Sequence, residues 1–186
     1  MAIESIEINL KTQICRVFKT DGVLDYPCST ALNGPGEQEG SACTPRGGHR
    51  IRAIIGRGLP EKAVLVGRRP TGEVWTEKLH ALYPERDWIL ARILWLCGNE
   101  TGFNRGGQVD SQRRYIYLHG TPPPEPMGVP MSHGCVRMRL EDICDHRYLQ
   151  GACERIHATL VHPLVPVAAY HASKYNVAGY RLVHPD

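Results

Sequence analysis

The stretch that begins at Tyr115, YIYLHGTPPPEPMGVPMSHGCVRM, restricts the fold of this chain more than any other. Its first four residues are mostly aromatic or β-branched and favour a strand. The strand must end at Gly120, because the prolines that follow cannot donate hydrogen bonds to a neighbouring strand. The sequence therefore predicts that His119 lies at a strand end and that Cys135 follows a loop rich in proline and glycine. Rigid scaffolds commonly present catalytic side chains in this way.

The residues around Cys135 suit nucleophilic catalysis. A thiol is only partly ionised at neutral pH, and the imidazole of His119 can take its proton and later return it to a leaving amine. Gly134 has no side chain, so a substrate carbonyl can approach backbone N–H groups that stabilise an oxyanion. Arg137 offers a planar fork for a carboxylate. The alternative for a single cysteine is a small buried hydrophobic residue, and only the combination of motifs favours catalysis.

Two motifs together resemble the signature of the YkuD-type L,D-transpeptidase family. They are SHGCVRM at 132–138 and HGT at 119–121, and the spacing between the first histidine and the cysteine also fits. A T-P-x-G element at 44–47 stands where this family usually has one, and the resemblance extends over residues 3–160. It implies a mainly β fold with a few helices, sandwich-like or barrel-like, and a cysteine acyl-enzyme.

The resemblance also implies roles for individual residues. Cys135 would be the nucleophile and His119 the base, with the carbonyl of Gly120 orienting the imidazole. The other residues expected at the site are Ser132, His133, Gly134, Arg137 and Tyr117. Arg137 is a departure, because many members have asparagine there. Whether His133 takes part in catalysis or shapes the loop stays open.

Arg105 is a further candidate for binding a substrate carboxylate. It lies in the glycine-rich run NETGFNRGGQVD, which is expected to pack beside the active-site strand. The alternative is a solvated loop arginine.

The implied substrate is a peptidoglycan stem tetrapeptide, cut between diaminopimelate and the terminal D-alanine. Water as the acceptor makes the enzyme an L,D-carboxypeptidase, whereas a second stem peptide makes it an L,D-transpeptidase that forms 3-3 cross-links or exchanges D-amino acids. The resemblance further implies that carbapenems acylate Cys135. No cofactor and no metal are expected. A non-catalytic stem-peptide-binding protein is the remaining alternative, although pure binding needs no thiolate.

Composition indicates an ordinary globular protein. The 186 residues are 42% hydrophobic and 22% charged, with a formal net charge of +3. They give no indication of nucleic-acid or membrane binding. We expect a catalytic domain over residues 1–162 and a tail over 163–186 that packs on it.

The N-terminal sequence predicts a cytoplasmic location. MAIESIEINLKTQ has no basic region followed by an apolar one, as a secretory signal would. The seven cysteines show no framework spacing, which fits a reducing compartment. In the cytoplasm the available substrates are small recycled muropeptides, so hydrolysis is favoured. A periplasmic location is the alternative if an export signal has been removed.

Residue patterns predict most of the secondary structure. The predicted strands are 6–10, 13–19, 23–31, 50–55, 63–66 and 155–161. Residues 33–48 are expected to form a loop, and residues 67–72 a turn. Helices are predicted over Asp87–Leu96, with Asp87 as the N-cap, and over Leu140–Leu149.

Two zinc sites are alternatives to this interpretation. Cys144, His146, Cys153 and His157 form a Cys/His cluster, but their spacing is not typical of structural zinc sites. A catalytic zinc on His119 and His133 would need a third ligand such as Cys135, which would then be lost as a nucleophile.

Overall fold

The computed structural model describes residues 3–145 and 157–161. The strands of this part are β1 (Ile3–Asn9), β2 (Ile14–Lys19), β3 (Gly22–Ser29), β4 (Gly47–Ile55), β5 (Ala63–Val66), β6 (Arg69–Val74), β7 (Ile89–Gly98), β8 (Tyr117–Gly120), β9 (Val136–Met138) and β10 (His157–Val161). The helices are α1 (Glu77–Leu82) and α2 (Leu140–Cys144). The fold is therefore mainly β, as the sequence predicts. No helix within these residues is long and apolar enough to cross a membrane.

The strands form one sheet that closes on itself. Their order is β4-β10-β1-β2-β3-β9-β8-β7, and β4 also pairs with β7, which completes the ring. The β5–β6 hairpin lies outside this ring, and its strand β5 pairs with β7. Two of the strand pairings, β1–β10 and β8–β9, are parallel, and the other pairings between these strands are antiparallel. The parallel pair β8–β9 matters most here, because it sets the histidine motif beside the cysteine motif.

The predicted N-terminal meander is confirmed. β1, β2 and β3 pair in sequence order with antiparallel registers, and alternate residues of β1 are buried in the core. β4 begins at Gly47, earlier than predicted. The turn before β6 is shorter than predicted, because β6 already starts at Arg69. The strand that carries His119 ends at Gly120, as the prolines require.

The predicted helix at Asp87–Leu96 is wrong. These residues enter β7, which runs from Ile89 to Gly98 and is buried along nearly its whole length. Alternate residues of β7 pack into two apolar clusters, with Leu94 and Leu96 in the main core and Ile93 in a smaller cluster with Leu65 and Tyr117. Both faces of the strand are therefore covered, and its sequence is continuously apolar. Such a run does not distinguish a buried strand from a helix. Asp87 is accordingly not an N-cap.

The helices differ from prediction in two further ways. Helix α1, with Thr76 as a side-chain N-cap, was not predicted. Helix α2 begins at Leu140 but ends at Cys144. Residues 146–156 and the tail from 162 lie outside the described residues, as do His146 and Cys153 of the Cys/His cluster.

Burial of His49 predicts a pH-dependent stability. This side chain on β4 is fully buried between the Gly47 carbonyl and the Ser111 hydroxyl, and burial lowers its pKa to about 4. The unfolded chain, with a pKa near 6.5, takes up the proton first as the pH falls. We therefore expect the free energy of unfolding to drop by about 3 kcal/mol between pH 6.5 and 4. Urea unfolding across this range measures it. His49→Gln should reduce by about one the number of protons taken up on unfolding, so that the free energy of unfolding depends less steeply on pH. An unchanged pH dependence would contradict the assignment.

Candidate active site

The register of β8 and β9 places the candidate residues on one face of the sheet. His119 lies opposite Arg137 on β9 and opposite Ile93 on β7. Alternation puts Tyr117 on the same face as His119, and Cys135, two residues before Arg137, reaches it as well. Cys135 and Tyr117 indeed belong to the same small apolar cluster. The opposite face of these strands carries Leu118, Val136 and Met138 into the main core.

His119 is held in the tautomer that a general base needs. The residue is 1% exposed, and Nδ1 lies 2.9 Å from the carbonyl oxygen of Gly120. A carbonyl only accepts hydrogen bonds, so Nδ1 carries the proton and Nε2 is left unprotonated. Burial lowers the pKa of His119, opposed by the Gly120 carbonyl. The imidazole is therefore neutral at pH 7 and able to accept a proton.

The Cys135 thiol is protonated at rest. The side chain is half-buried and packs against the apolar cluster of Leu65, Ile93 and Tyr117. Its Sγ lies 3.5 Å from the carbonyl oxygen of Tyr115. Desolvation raises the pKa of this thiol to about 12, and a backbone hydrogen bond from Tyr117 opposes the increase. A base must therefore take the proton during attack, because little thiolate is present beforehand.

Short hydrogen bonds fix the loop before Cys135. The Ser132 hydroxyl donates to the Cys135 carbonyl at 2.6 Å and accepts from the Gly134 N–H at 3.2 Å. Thr44, from the upstream T-P-x-G element, donates its hydroxyl to the Gly134 carbonyl at 2.9 Å. It also accepts from the backbone N–H of Ala31. The structure thus brings the two sequence elements into direct contact.

Gly134 occupies a position where a side chain would be strained. Its φ is +133°, and a Cβ there would lie 3.3 Å from the Cys43 carbonyl oxygen. The half-buried Arg114 holds the loop that carries Cys43, with four contacts to Gly36 O, Glu37 O, Ser41 Oγ and Cys43 O. This loop therefore forms one wall of the site.

Gly120→Ala is expected to destabilise the protein and to disturb His119. A Cβ at Gly120 would lie 2.7 Å from the Leu90 carbonyl oxygen and 2.9 Å from Leu140 Cδ2, so β7 and β8 would have to separate. We expect a loss of about 2–3 kcal/mol in urea unfolding, together with reduced activity, because the carbonyl that orients the imidazole moves. Gly72→Ala, at a site with open space but a left-handed φ of +87°, is the comparison: it should lose only the backbone strain, about 1 kcal/mol, because no neighbour has to move. Equal losses in the two variants would contradict this packing argument.

Arg137 is already engaged with two carboxylates. The side chain is largely buried, and its guanidinium donates to Glu125 and to Asp87, each at 3.1 Å. It therefore joins the segment before β7 to the proline-rich loop after β8, beside His119. Sequence reasoning missed both partners, because neither carboxylate has a local pattern that points to a distant arginine.

The remaining predicted residues lie in different environments. Tyr117 is buried, and its hydroxyl accepts a hydrogen bond from Arg68 at 3.0 Å. His133 is exposed beside Gly134. Arg105 is exposed in the loop after β7, where its carbonyl accepts from the Gly102 N–H. Within the described residues no hydrogen bond or ion pair joins either side chain to Cys135 or His119, so the assignments of His133 and Arg105 stay predictions.

Metal ligands do not converge anywhere in residues 3–145 and 157–161. No group of three His, Cys, Asp or Glu side chains there is placed to hold an ion.

Comparison with known proteins identifies the family. The model of the YkuD L,D-transpeptidase catalytic domain matches residues 4–145, and the chain belongs to this family. No curated protein matches the sequence. The match includes β8, β9 and all the candidate site residues named above.

Solved structures with a similar fold are distant in sequence. The Bdellovibrio bacteriovorus protein Bd1075 has a TM-score of 0.50 and 14% identity, covering 86% of this chain and 48% of its own. The L,D-transpeptidase of Xylanimonas cellulosilytica has a TM-score of 0.46 and 17% identity, and the match covers 86% of this chain and 61% of that one. L,D-transpeptidase 3 of Mycobacterium tuberculosis, solved with a faropenem-derived adduct, has a TM-score of 0.48 and 14% identity, and the match covers 86% of this chain and 60% of that one. The chain thus spans about half to three fifths of these solved chains.

Proposed function

We propose that this protein cleaves L,D-peptide bonds in peptidoglycan stem tetrapeptides through a Cys135 acyl-enzyme. The observation that carries the proposal is the pairing of β8 with β9, which puts a neutral, oriented His119 and Cys135 on one face of the sheet. Membership of the L,D-transpeptidase family supplies the substrate class.

The proposed reaction uses the thiol and imidazole in turn. Nε2 of His119 takes the thiol proton while Sγ bonds to the carbonyl carbon of diaminopimelate. Backbone N–H groups near Gly134 stabilise the oxyanion. When the C–N bond breaks, His119 returns the proton to the amine of the leaving D-alanine, and a thioester remains. Water, deprotonated by His119, then hydrolyses the thioester.

Hydrolysis is the outcome that we favour, which makes the protein an L,D-carboxypeptidase acting on recycled muropeptides in the cytoplasm. His119, Tyr117 and Arg137 are each less than a tenth exposed. Water needs no binding surface of its own to reach a thioester at Cys135, whereas a second stem peptide does. Transpeptidation is the alternative, since it shares the first half-reaction.

Product analysis tests the choice of acceptor. The purified protein is incubated with the stem tetrapeptide, with and without a D-amino acid or a second stem peptide, and the products are identified by mass spectrometry. We expect tripeptide and free D-alanine in amounts that the acceptor does not change. Dimers or exchanged D-amino acids would instead indicate a transpeptidase.

Carbapenems are proposed as covalent inhibitors. The thiolate would open the β-lactam and form a thioester at Cys135, as with the peptide. Cys135→Ser protein should not form the adduct, and an adduct of undiminished yield on this variant would count against the assignment.

The pH dependence of acylation is expected to follow His119. Because burial lowers the pKa of this imidazole below 6.5 and raises that of the Cys135 thiol to about 12, the reactive form is the neutral pair. The rate should rise with a midpoint below pH 6.5, as His119 loses its proton, and then stay level through pH 8. Stopped-flow acylation by a carbapenem measures this profile. A single rise centred near pH 8–9, the ordinary thiol range, would contradict it.

A further inference from the structure

Arg68 lies in an aromatic cradle that the proposed mechanism does not use. It stands in the turn between β5 and β6, in a left-handed backbone conformation with φ of +67°. Its guanidinium carbon lies 4.7 Å from the ring centre of Trp95 and 4.6 Å from that of Tyr115. One of its nitrogens donates to the Tyr117 hydroxyl at 3.0 Å. These four residues, Arg68, Trp95, Tyr115 and Tyr117, are called the cradle below.

The cradle borders the nucleophile. Tyr117 lies opposite Trp95 in the β7–β8 register, on the face that carries His119. Cys135 packs against the same apolar cluster as Trp95 and Tyr117, and its Sγ lies 3.5 Å from the Tyr115 carbonyl oxygen. A ligand group held by Arg68 would therefore be close to the bond that Cys135 attacks.

Arg68 differs from the other arginines of the site in its partners. Arg137 is paired with two carboxylates, and Arg114 is bound to the oxygens of the loop that carries Cys43. Over the described ranges, no carboxylate pairs with Arg68. A guanidinium has five N–H donors, and the hydrogen-bond partners of Arg68 within the described ranges are tyrosine hydroxyls, chiefly that of Tyr117, so donors remain for an anion.

The aromatic rings orient this cation without neutralising it. The guanidinium lies over the rings of Trp95 and Tyr115 and donates to the Tyr117 hydroxyl, and these contacts together restrict its orientation. A planar guanidinium held in one orientation is pre-organised for a bidentate contact with a carboxylate. The left-handed conformation of Arg68 belongs to the two-residue turn that joins β5 and β6, since Gly67 also has a positive φ, of +54°.

We propose that the Arg68 cradle binds a carboxylate of the peptide substrate next to the scissile bond. The inference rests on the proposed function for the identity of the peptide. The carboxylate belongs either to the leaving D-alanine or to the diaminopimelate side chain, and both have the same chemistry. Recognition of the D-alanine carboxylate would make the enzyme selective for a free C-terminus.

The test measures binding in a protein that cannot turn over the peptide. Cys135→Ala and the double variant Cys135→Ala/Arg68→Gln are titrated calorimetrically with three tetrapeptides: the acid, its C-terminal amide, and a diaminopimelate side-chain amide. We expect Arg68→Gln to weaken binding of the acid about 10- to 100-fold. The loss should shrink to within about threefold for the amide that lacks the recognised carboxylate. Arg69→Ala, on the exposed neighbour, is the matched control and should leave all three affinities unchanged.

The outcomes show which carboxylate, if either, the cradle binds. A loss that disappears with the C-terminal amide supports recognition of D-alanine, and one that disappears with the side-chain amide supports recognition of diaminopimelate. An equal loss for all three peptides, or no loss for any, overturns the proposal. Thermal unfolding of the double variant verifies that it is folded. The proposed function is tested separately, since it fails if wild-type protein releases no D-alanine, whatever the affinities are.

Discussion

Cys135→Ala is expected to reduce D-alanine release from the stem tetrapeptide by at least about 10⁴-fold, because no other group can form the thioester. The thiol is half-buried in a small apolar cluster, so the loss of one sulfur atom should leave the fold intact. Release is measured by an enzyme-coupled D-alanine assay, and urea unfolding verifies stability.

Cys43→Ala is the matched control for this variant. Of the cysteines within the described residues, Cys43 and Cys135 are the two that are not fully buried. The Cys43 thiol donates weak hydrogen bonds to the carbonyls of Asn33 and Ser41. We expect activity within about threefold of wild type, as for a substitution that removes two weak hydrogen bonds. If Cys135→Ala kept substantial activity while Cys43→Ala lost it, the nucleophile would be wrongly assigned.

His119→Ala is expected to lower the rate of acylation by about 10²–10⁴-fold, the range in which a positioned general base contributes. The same change at His133 should cost less than about tenfold, because the side chain of His133 is exposed and no hydrogen bond in the described part of the chain joins it to Cys135 or His119. Carbapenem acylation followed by stopped flow compares the two variants directly.

The two histidine variants also separate catalysis from folding. His119→Gln keeps an amide that can donate to the Gly120 carbonyl, but it offers no base. It should therefore stay folded and be about as inactive as His119→Ala. The reverse pattern, in which only His133→Ala prevents acylation, would move the role of base to His133.

The strands could be predicted where one face of the sheet is exposed. β1 alternates buried and less buried residues, and its periodicity of two is visible in the sequence. β7 could not be recognised in this way, because apolar clusters cover both of its faces and remove the alternation. Only knowledge of the whole ring, which depends on pairings between distant residues, would have shown that Asp87 precedes a strand.

The candidate site likewise has residues that local sequence predicts and contacts that it does not predict. The positions of His119, Gly120 and Cys135 follow from local motifs, since the prolines end β8 and the glycine before the cysteine permits a tight approach. The contacts of Arg137 with Asp87 and Glu125 join three separate segments, and no local spacing encodes them. The same holds for the cradle, where Arg68 reaches rings from two other elements.

The central claim is that a Cys135 thioester lies on the reaction path. The most direct test is to mix the protein with the stem tetrapeptide, quench in acid after milliseconds to seconds, and measure the intact mass, followed by peptide mapping. The proposed mechanism predicts a transient increase equal to the tripeptide acyl group, located on the peptide that contains Cys135, and its absence in Cys135→Ala. Steady release of D-alanine without any adduct, or an adduct on another residue, would contradict it.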